Sequence, residues 1–270
     1  DTIIVGQGVG VQALASLGAA DWLNWLFLGL VTGLTQGFSI QISQLYGAGK
    51  IEKLKQTIGN SIVLTVGAAV VFLLIAQGGL RLFLDLMNTP SDIYAGSESY
   101  LRIMFGGIPV ILAYNLAASI LRALGDSKTP LHAMIIAACI NIGLDLLFVM
   151  VFHWGIPGAA IATVIAQAFS FLFCFVVLRK IEVLKISRRD TKLEKGVVVR
   201  LLTLGMPLMF QNVIISVGGM VVQTVINGFG FIFVAGFTAA NKLYGLLEMA
   251  AISFGYAITT YTGQNLGAGR

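Results

Sequence analysis

Charge is scarce in this chain. Only 11% of its 270 residues are Asp, Glu, Lys or Arg, against roughly a quarter in a soluble globular domain. That excludes a domain built to face water, and the 57% hydrophobic content and mean hydropathy of +0.90 agree. Cysteine is nearly absent: Cys139 and Cys174 both lie in apolar runs, which offers no pattern for a disulfide framework or a metal site and reads as two buried free thiols. The only histidines, His132 and His153, fall at the ends of apolar segments. No zinc motif or serine-nucleophile motif accompanies them, so an intramembrane enzyme is the weaker alternative, one that loss of turnover on mutating either histidine would revive. The chain begins at Asp1 with neither Met nor a basic leader, so no signal peptide is expected, and residues 1–9 read as the outer tail of an earlier helix.

Long apolar runs dominate instead. Seven segments of about 20 residues or more are long enough to cross a bilayer: 24–46, 55–80, 93–121, 129–152, 155–178, 197–226 and 237–266. Turn chemistry separates them at Asn88-Thr89-Pro90, Gly125-Asp126-Ser127-Lys128-Thr129-Pro130 and Trp154-Gly155-Ile156-Pro157-Gly158. The alternating loops place Lys50, Lys53, Lys55, Arg122, Lys128, the eight basic residues from Arg179 to Arg200, and Arg270 on one side. Arg81, Arg102 and Lys242 are left for the other. Basic loops stay in the cytoplasm, so the first side is cytoplasmic and the net charge of +5 is a topology signal, with no nucleic-acid partner expected. The compact loops fit a plasma (inner) membrane.

The chain also repeats itself. Gln44-Leu45-Tyr46-Gly47-Ala48-Gly49-Lys50 returns 220 residues later as Gln264-Asn265-Leu266-Gly267-Ala268-Gly269-Arg270. Sliding residues 1–50 onto 221–270 matches twelve positions, clustered at glycines and at both ends of one apolar segment. Such a period implies two homologous helix bundles in a protein of about 440 residues, of which this chain is a part. The division expected is an N-terminal bundle at 1–178, a solvated cytoplasmic linker at 179–196 and the start of a second bundle at 197–270. The basic residues of the linker can also meet lipid headgroups.

Within the helices, Gly29, Gly33 and Gly37 share one face, where small residues let backbones approach closely. Pro109 and Pro207 each remove a backbone hydrogen bond inside an apolar segment, predicting a kink that is either static or changes during a working cycle. The informative residues are two acids inside the membrane, Asp145 and Glu248. A carboxylate there costs at least about 2.5 kcal/mol on insertion scales and faces a cavity or a partner. Asn141 lies one turn from Asp145, and Thr163 lies at a similar depth of about 10–12 Å on the antiparallel neighbouring helix. The three make a set of hard oxygen ligands suited to a proton or Na⁺, or else Asp145 only hydrogen-bonds Thr163 and holds the helices together. Glu248, near mid-membrane, is expected to face an interior cavity and attract a cationic ligand, unless Lys242 neutralises it.

These segments resemble the multidrug and toxic compound extrusion (MATE) family. The resemblance is carried by Asp1-Thr2-Ile3-Ile4-Val5-Gly6, Ala13-Leu14-Ala15-Ser16-Leu17-Gly18, Leu121-Arg122-Ala123-Leu124-Gly125-Asp126-Ser127-Lys128-Thr129-Pro130, Gly158-Ala159-Ala160-Ile161-Ala162-Thr163 and Gln264-Asn265-Leu266-Gly267-Ala268-Gly269. It implies an all-α polytopic transmembrane bundle of twelve helices, in two pseudo-symmetric six-helix lobes around a central cavity. It also implies export of small organic cations by alternating access, driven by H⁺ or Na⁺, with no cofactor and a monomer among membrane lipids. The cation site implied is Asp1, Asn141, Asp145 and Thr163, with Asp1 resting on the resemblance alone. Gln223 is the repeat partner of Asp1 after a two-residue slip, so the second lobe is expected to lack an equivalent site; Gln223 and Glu248 are assigned to the substrate cavity. A related exporter of lipid-linked sugars is the rival, disfavoured because its cavity needs cations to hold a pyrophosphate, whereas this chain places acids in the membrane.

Overall fold

The computed structural model describes residues 2–227 and 231–270, and the regular structure among them is helical. A short α1 (Thr2–Gly8) leads into α2 (Val11–Gly47) and α3 (Ile51–Leu86). Two half-length helices follow, α4 (Ser91–Gly106) and α5 (Ile108–Ala123). Then come α6 (Lys128–Asp145), a π-helical turn at Leu146–Val151, and α7 (Gly155–Lys180). After a 3₁₀ turn at Glu182–Leu184, the chain ends in α8 (Lys195–Asn227) and α9 (Phe231–Gly267). Among the described residues five helices are long and apolar enough to cross a membrane, and the bent α4–α5 pair makes a sixth span. The segment expected at 237–266 lies inside α9.

Three expectations need correction. The span expected to begin at residue 24 is part of a 37-residue helix that begins at Val11. At 1.5 Å per residue that is about 55 Å, well beyond a hydrocarbon core of about 30 Å. Backbone hydrogen bonding does not stop where the apolar run stops, so Asp21 is a helix-interior residue. Cys139 is exposed on the outside of the bundle, and only Cys174 is buried. The third correction concerns the linker, which is docked. Leu184 is buried in an apolar cluster with Leu54 and Ile58 of α3. Asn60, fully buried in α3, donates its amide to the carbonyl oxygens of Asp190 at 3.2 Å and Lys192 at 3.1 Å and accepts from the Glu194 N–H at 2.9 Å. A buried amide without partners is costly, and the irregular linker backbone supplies them. The Ser187 backbone N–H and then its hydroxyl, both donating to Asp190, hold that carboxyl below the usual carboxylate range.

The prolines behave differently from one another. Pro109 sits in the first turn of α5, where α4 and α5 meet at a 48° bend around Gly107. Its ring removes a donor that a continuous helix would have used, so the span breaks there. Around Pro207 the helix α8 runs on unbroken.

The glycine face of α2 packs on α8. A Cβ on Gly33 would lie 2.6 Å from the Leu208 carbonyl oxygen, and one on Gly37 would collide with the backbone of Gly205. The Asn212 side chain donates to the Gly29 carbonyl oxygen at 3.0 Å. Close backbone approach, as the spacing predicts, is what these glycines permit.

The two copies of the repeat end alike. The Gly49 N–H donates to Tyr46 O at 3.0 Å and Lys50 N–H to Leu45 O at 3.1 Å. At the second copy Gly269 N–H donates to Leu266 O at 3.2 Å and Arg270 N–H to Asn265 O at 2.9 Å. Gly49 has φ of +65° and Gly269 of +73°. This is the Schellman stop, whose left-handed residue favours glycine.

Candidate functional site

The site is built at the hairpin between α6 and α7. Asp145 closes α6, and the following π turn widens the helix by one residue per turn, with Phe152 N–H donating to Leu147 O at 2.9 Å. The chain then reverses through His153 and Gly155, both left-handed, at φ of 55° and 59°. Phe148 stacks on Trp154 with ring centroids 4.9 Å apart, and a Cβ on Gly158 would lie 3.1 Å from each of those side chains. The reversal is therefore rigid, and it fixes which residues of α6 and α7 face each other.

The pair it brings together is Asn141 and Thr163. The Asn141 Nδ2 donates to Thr163 Oγ1 at 3.4 Å, and the hydroxyl donates onward to Ala159 O at 3.0 Å. Asp145, one turn from Asn141, is completely buried. Of the four expected cation ligands, Asn141 and Thr163 are joined directly, and Asp145 lies one helical turn from Asn141. Asp1 lies outside the described residues.

Sequence reasoning missed several polar neighbours. Tyr100, buried in α4, lies within electrostatic reach of both Asp21 and Asp145. Beside Thr163 is a cavity of about 130 Å³ lined by Asn24, Thr163 and Gln167 together with apolar side chains that include Phe27 and Phe105. The Gln167 Oε1 is buried with no hydrogen-bond partner among the described residues. Gln167 stands four residues after Thr163, so helical spacing could have found it. Asn24 follows Asp21 by three residues; Asp21 fell before the expected span of 24–46, and Asn24 stood at its first position and was passed over. Tyr100 carried no such signal.

Glu248 is exposed on α9 among the described residues, away from the small cavity beside Thr163. The described contacts of α9 with α2 and α5 include Tyr256, Gly263, Gln264 and Gly267 near its C-terminal end, and residues 247–255 are exposed. The side chain of Gln223 lies outside the described residues.

A multi-pass helical membrane bundle, with polar side chains converging between its spans, defines a class of membrane protein. The profile of the MatE family matches residues 1–147 and 207–270. The chain belongs to that family. It is 34% identical over 272 residues to the "Probable multidrug resistance protein YoeA" of Bacillus subtilis, covering 98% of this chain and 59% of that protein. Two solved structures of a multidrug resistance MATE family transporter of the MOP superfamily share the fold at 24% identity. The outward-facing one gives a TM-score of 0.90 with 99% of this chain and 60% of the other covered. The inward-facing one gives 0.79 with 98% and 58% covered. The chain spans about 60% of the length of the relatives it matches.

Proposed function

We propose that the full protein carrying this chain is a multidrug efflux transporter of the inner membrane. It exports small cationic, amphipathic organic compounds in exchange for H⁺ or Na⁺. The observation that carries this is the complete burial of Asp145 beside the linked Asn141 and Thr163. An ionised carboxylate in that position is unfavourable unless a proton or a cation joins it, which makes its occupancy a natural switch between two packings.

The chain's own residues account for the step. Asn141 Oδ1, Thr163 Oγ1 and the Asp145 carboxylate are hard oxygen donors that suit Na⁺, and protonation of Asp145 removes the buried charge by itself. The cavity beside them, at about 130 Å³, is smaller than the roughly 300 Å³ that a drug-sized ligand needs. It suits the coupling ion and its water, and the organic substrate is assigned to the larger central cavity that the family resemblance implies. The better match to the outward-facing fold supports an outward-open state for the conformer described. Ion occupancy then favours one state and substrate the other, each by no more than its own preference between them. Residues 1–178 form the first lobe of such a machine, 179–196 its linker and 197–270 the start of the second.

The test uses the full-length protein in proteoliposomes, following ethidium under an imposed H⁺ or Na⁺ gradient. Movement driven by one of these gradients, and absent without it, is the expected result and names the ion. Failure to move ethidium or any other organic cation under either gradient would overturn the reading.

A further inference from the structure

We infer that an apolar groove between α2, α3 and α8 holds one acyl chain of an anionic phospholipid from the cytoplasmic leaflet, with its headgroup against lysines at the groove's cytoplasmic end. The groove has a volume of about 500 Å³. Phe38 of α2, Leu64 and Phe72 of α3, and Met206 and Met209 of α8 line it, and Leu193 of the linker joins them just before α8 begins. Among the described residues the lining is apolar throughout. Gly67, Val71 and Met206 are exposed, so the groove is open on one side among the described residues. A Cβ on Gly67 would meet nothing within 4 Å, which shows free space at that point. The two methionines are unbranched and adaptable, suited to the irregular surface of a flexible chain.

Depth and charge choose the occupant. The lining runs from Leu202 to Met209 on α8 and from Val63 to Phe72 on α3, about 10–14 Å along each helix at 1.5 Å per residue. That is close to half of a hydrocarbon core of about 30 Å, the share of one leaflet. The cytoplasmic end is basic. Lys195 and Val199 precede Leu202, Met206 and Met209 at spacings of four and three residues, so Lys195 lies on the groove's face of α8, two turns nearer the cytoplasm. On α3, Lys53 stands three turns before Leu64 on the same face. Lys192 is next to Leu193, and all three lysines are exposed. The acid among them, Glu194, accepts a hydrogen bond from the Gln56 amide. A phosphate headgroup therefore meets a rim of net positive charge while its chain lies against carbon, as in the basic pockets between membrane helices that bind anionic lipids. An exported organic cation would be repelled by those lysines, and a lining without polar groups offers nothing to fix its orientation. Only this exclusion draws on the transport reading. With α2 and α3 in the first lobe and α8 in the second, the lipid lies across the seam between them.

The test measures lipid retention by the full-length protein in detergent, using native mass spectrometry with added phosphatidylglycerol or phosphatidylcholine of matched chains. One phosphatidylglycerol per protein should be held in clear preference to phosphatidylcholine. Lys192→Gln/Lys195→Gln should weaken that binding roughly tenfold, because each basic residue near the headgroup adds to the attraction. Gly67→Leu fills the groove without a collision and should weaken binding to a similar degree, with the thermal-unfolding midpoint near that of the parent. Lys128→Gln/Lys180→Gln removes the same charge away from the groove and should leave binding unchanged. Equal retention of the two lipids, binding that Gly67→Leu leaves intact, or equal losses in the two lysine pairs would each overturn the proposal. Should Gly67→Leu fail to fold, position is read directly in liposomes. Phosphatidylglycerol carrying a diazirine on its acyl chain should cross-link to Gly67, Val71 or Met206. Cross-links spread evenly over other exposed residues such as Leu131 and Leu172 would mean bulk lipid only, and none in the groove would mean that later helices of the full protein cover it. Either result contradicts the site. If the protein moves no organic cation, the transport reading fails, while retention and cross-linking still decide the lipid site.

Discussion

Helices α2 and α9 carry the same repeat and finish in the same hydrogen-bonded stop, yet their middles differ completely. Where α2 has Gly29, Gly33 and Gly37, α9 has Met249, Ser253 and Ala257. Where α2 presents Leu28 and Phe27 to the core, α9 has Glu248 and Leu247, both exposed among the described residues. The ends of a repeat are held by backbone geometry that few residues satisfy. The middle is free to specialise, one copy as a tight seam against α8 and the other exposed at residues 247–255.

The sharpest break in that comparison is Gly33→Leu against Ser253→Leu. The first drives a side chain into the α8 backbone and should cost about 3 kcal/mol, at the upper end of overpacking penalties. The second adds bulk to an exposed face of α9 and should leave the thermal-unfolding midpoint in detergent nearly unchanged. Equal drops for both would deny the seam its special role. A smaller effect is expected of Asn60→Ala, which strips the linker of its buried hydrogen bonds. At about 1–3 kcal/mol, it should make tryptic cleavage at Arg188, Arg189 and Lys192 about tenfold faster or more, and an unchanged rate would mean the linker is not held there. The smallest effect is at Asp190. Its carboxyl is held low by Ser187, so this turn's stability is fully present above the ordinary Asp range and is lost as pH falls through the depressed value. Hydrogen exchange at the Ser187 amide, corrected for intrinsic rate, should show protection at neutral pH that disappears in strong acid and in Asp190→Asn.

Much of this was legible in the sequence. Apolar length marked the spans because bilayer thickness sets a narrow requirement. The depth argument set Asp145 level with Thr163, whereas the contact on the tight hairpin is made by Asn141, one turn away. The start of α2 was not legible, since hydropathy reports the oil layer and not where backbone hydrogen bonding ends. Nor was the docking of the linker onto Asn60, which depends on the position of one buried amide. For Glu248, mid-membrane depth constrains the carboxylate without saying which neighbour it will meet. The repeat was visible, but its two copies meeting one another could be seen only in three dimensions.

The central claim is that the buried carboxylate of Asp145, and not the exposed one of Glu248, couples ion movement to export. The most direct measurement compares Asp145→Asn with Glu248→Gln in the full-length protein, in proteoliposomes, under the gradient that drives ethidium movement in the parent. Loss of gradient-driven movement in Asp145→Asn, with Glu248→Gln still responding to the gradient, is the predicted result. Undiminished coupling in Asp145→Asn would contradict the account.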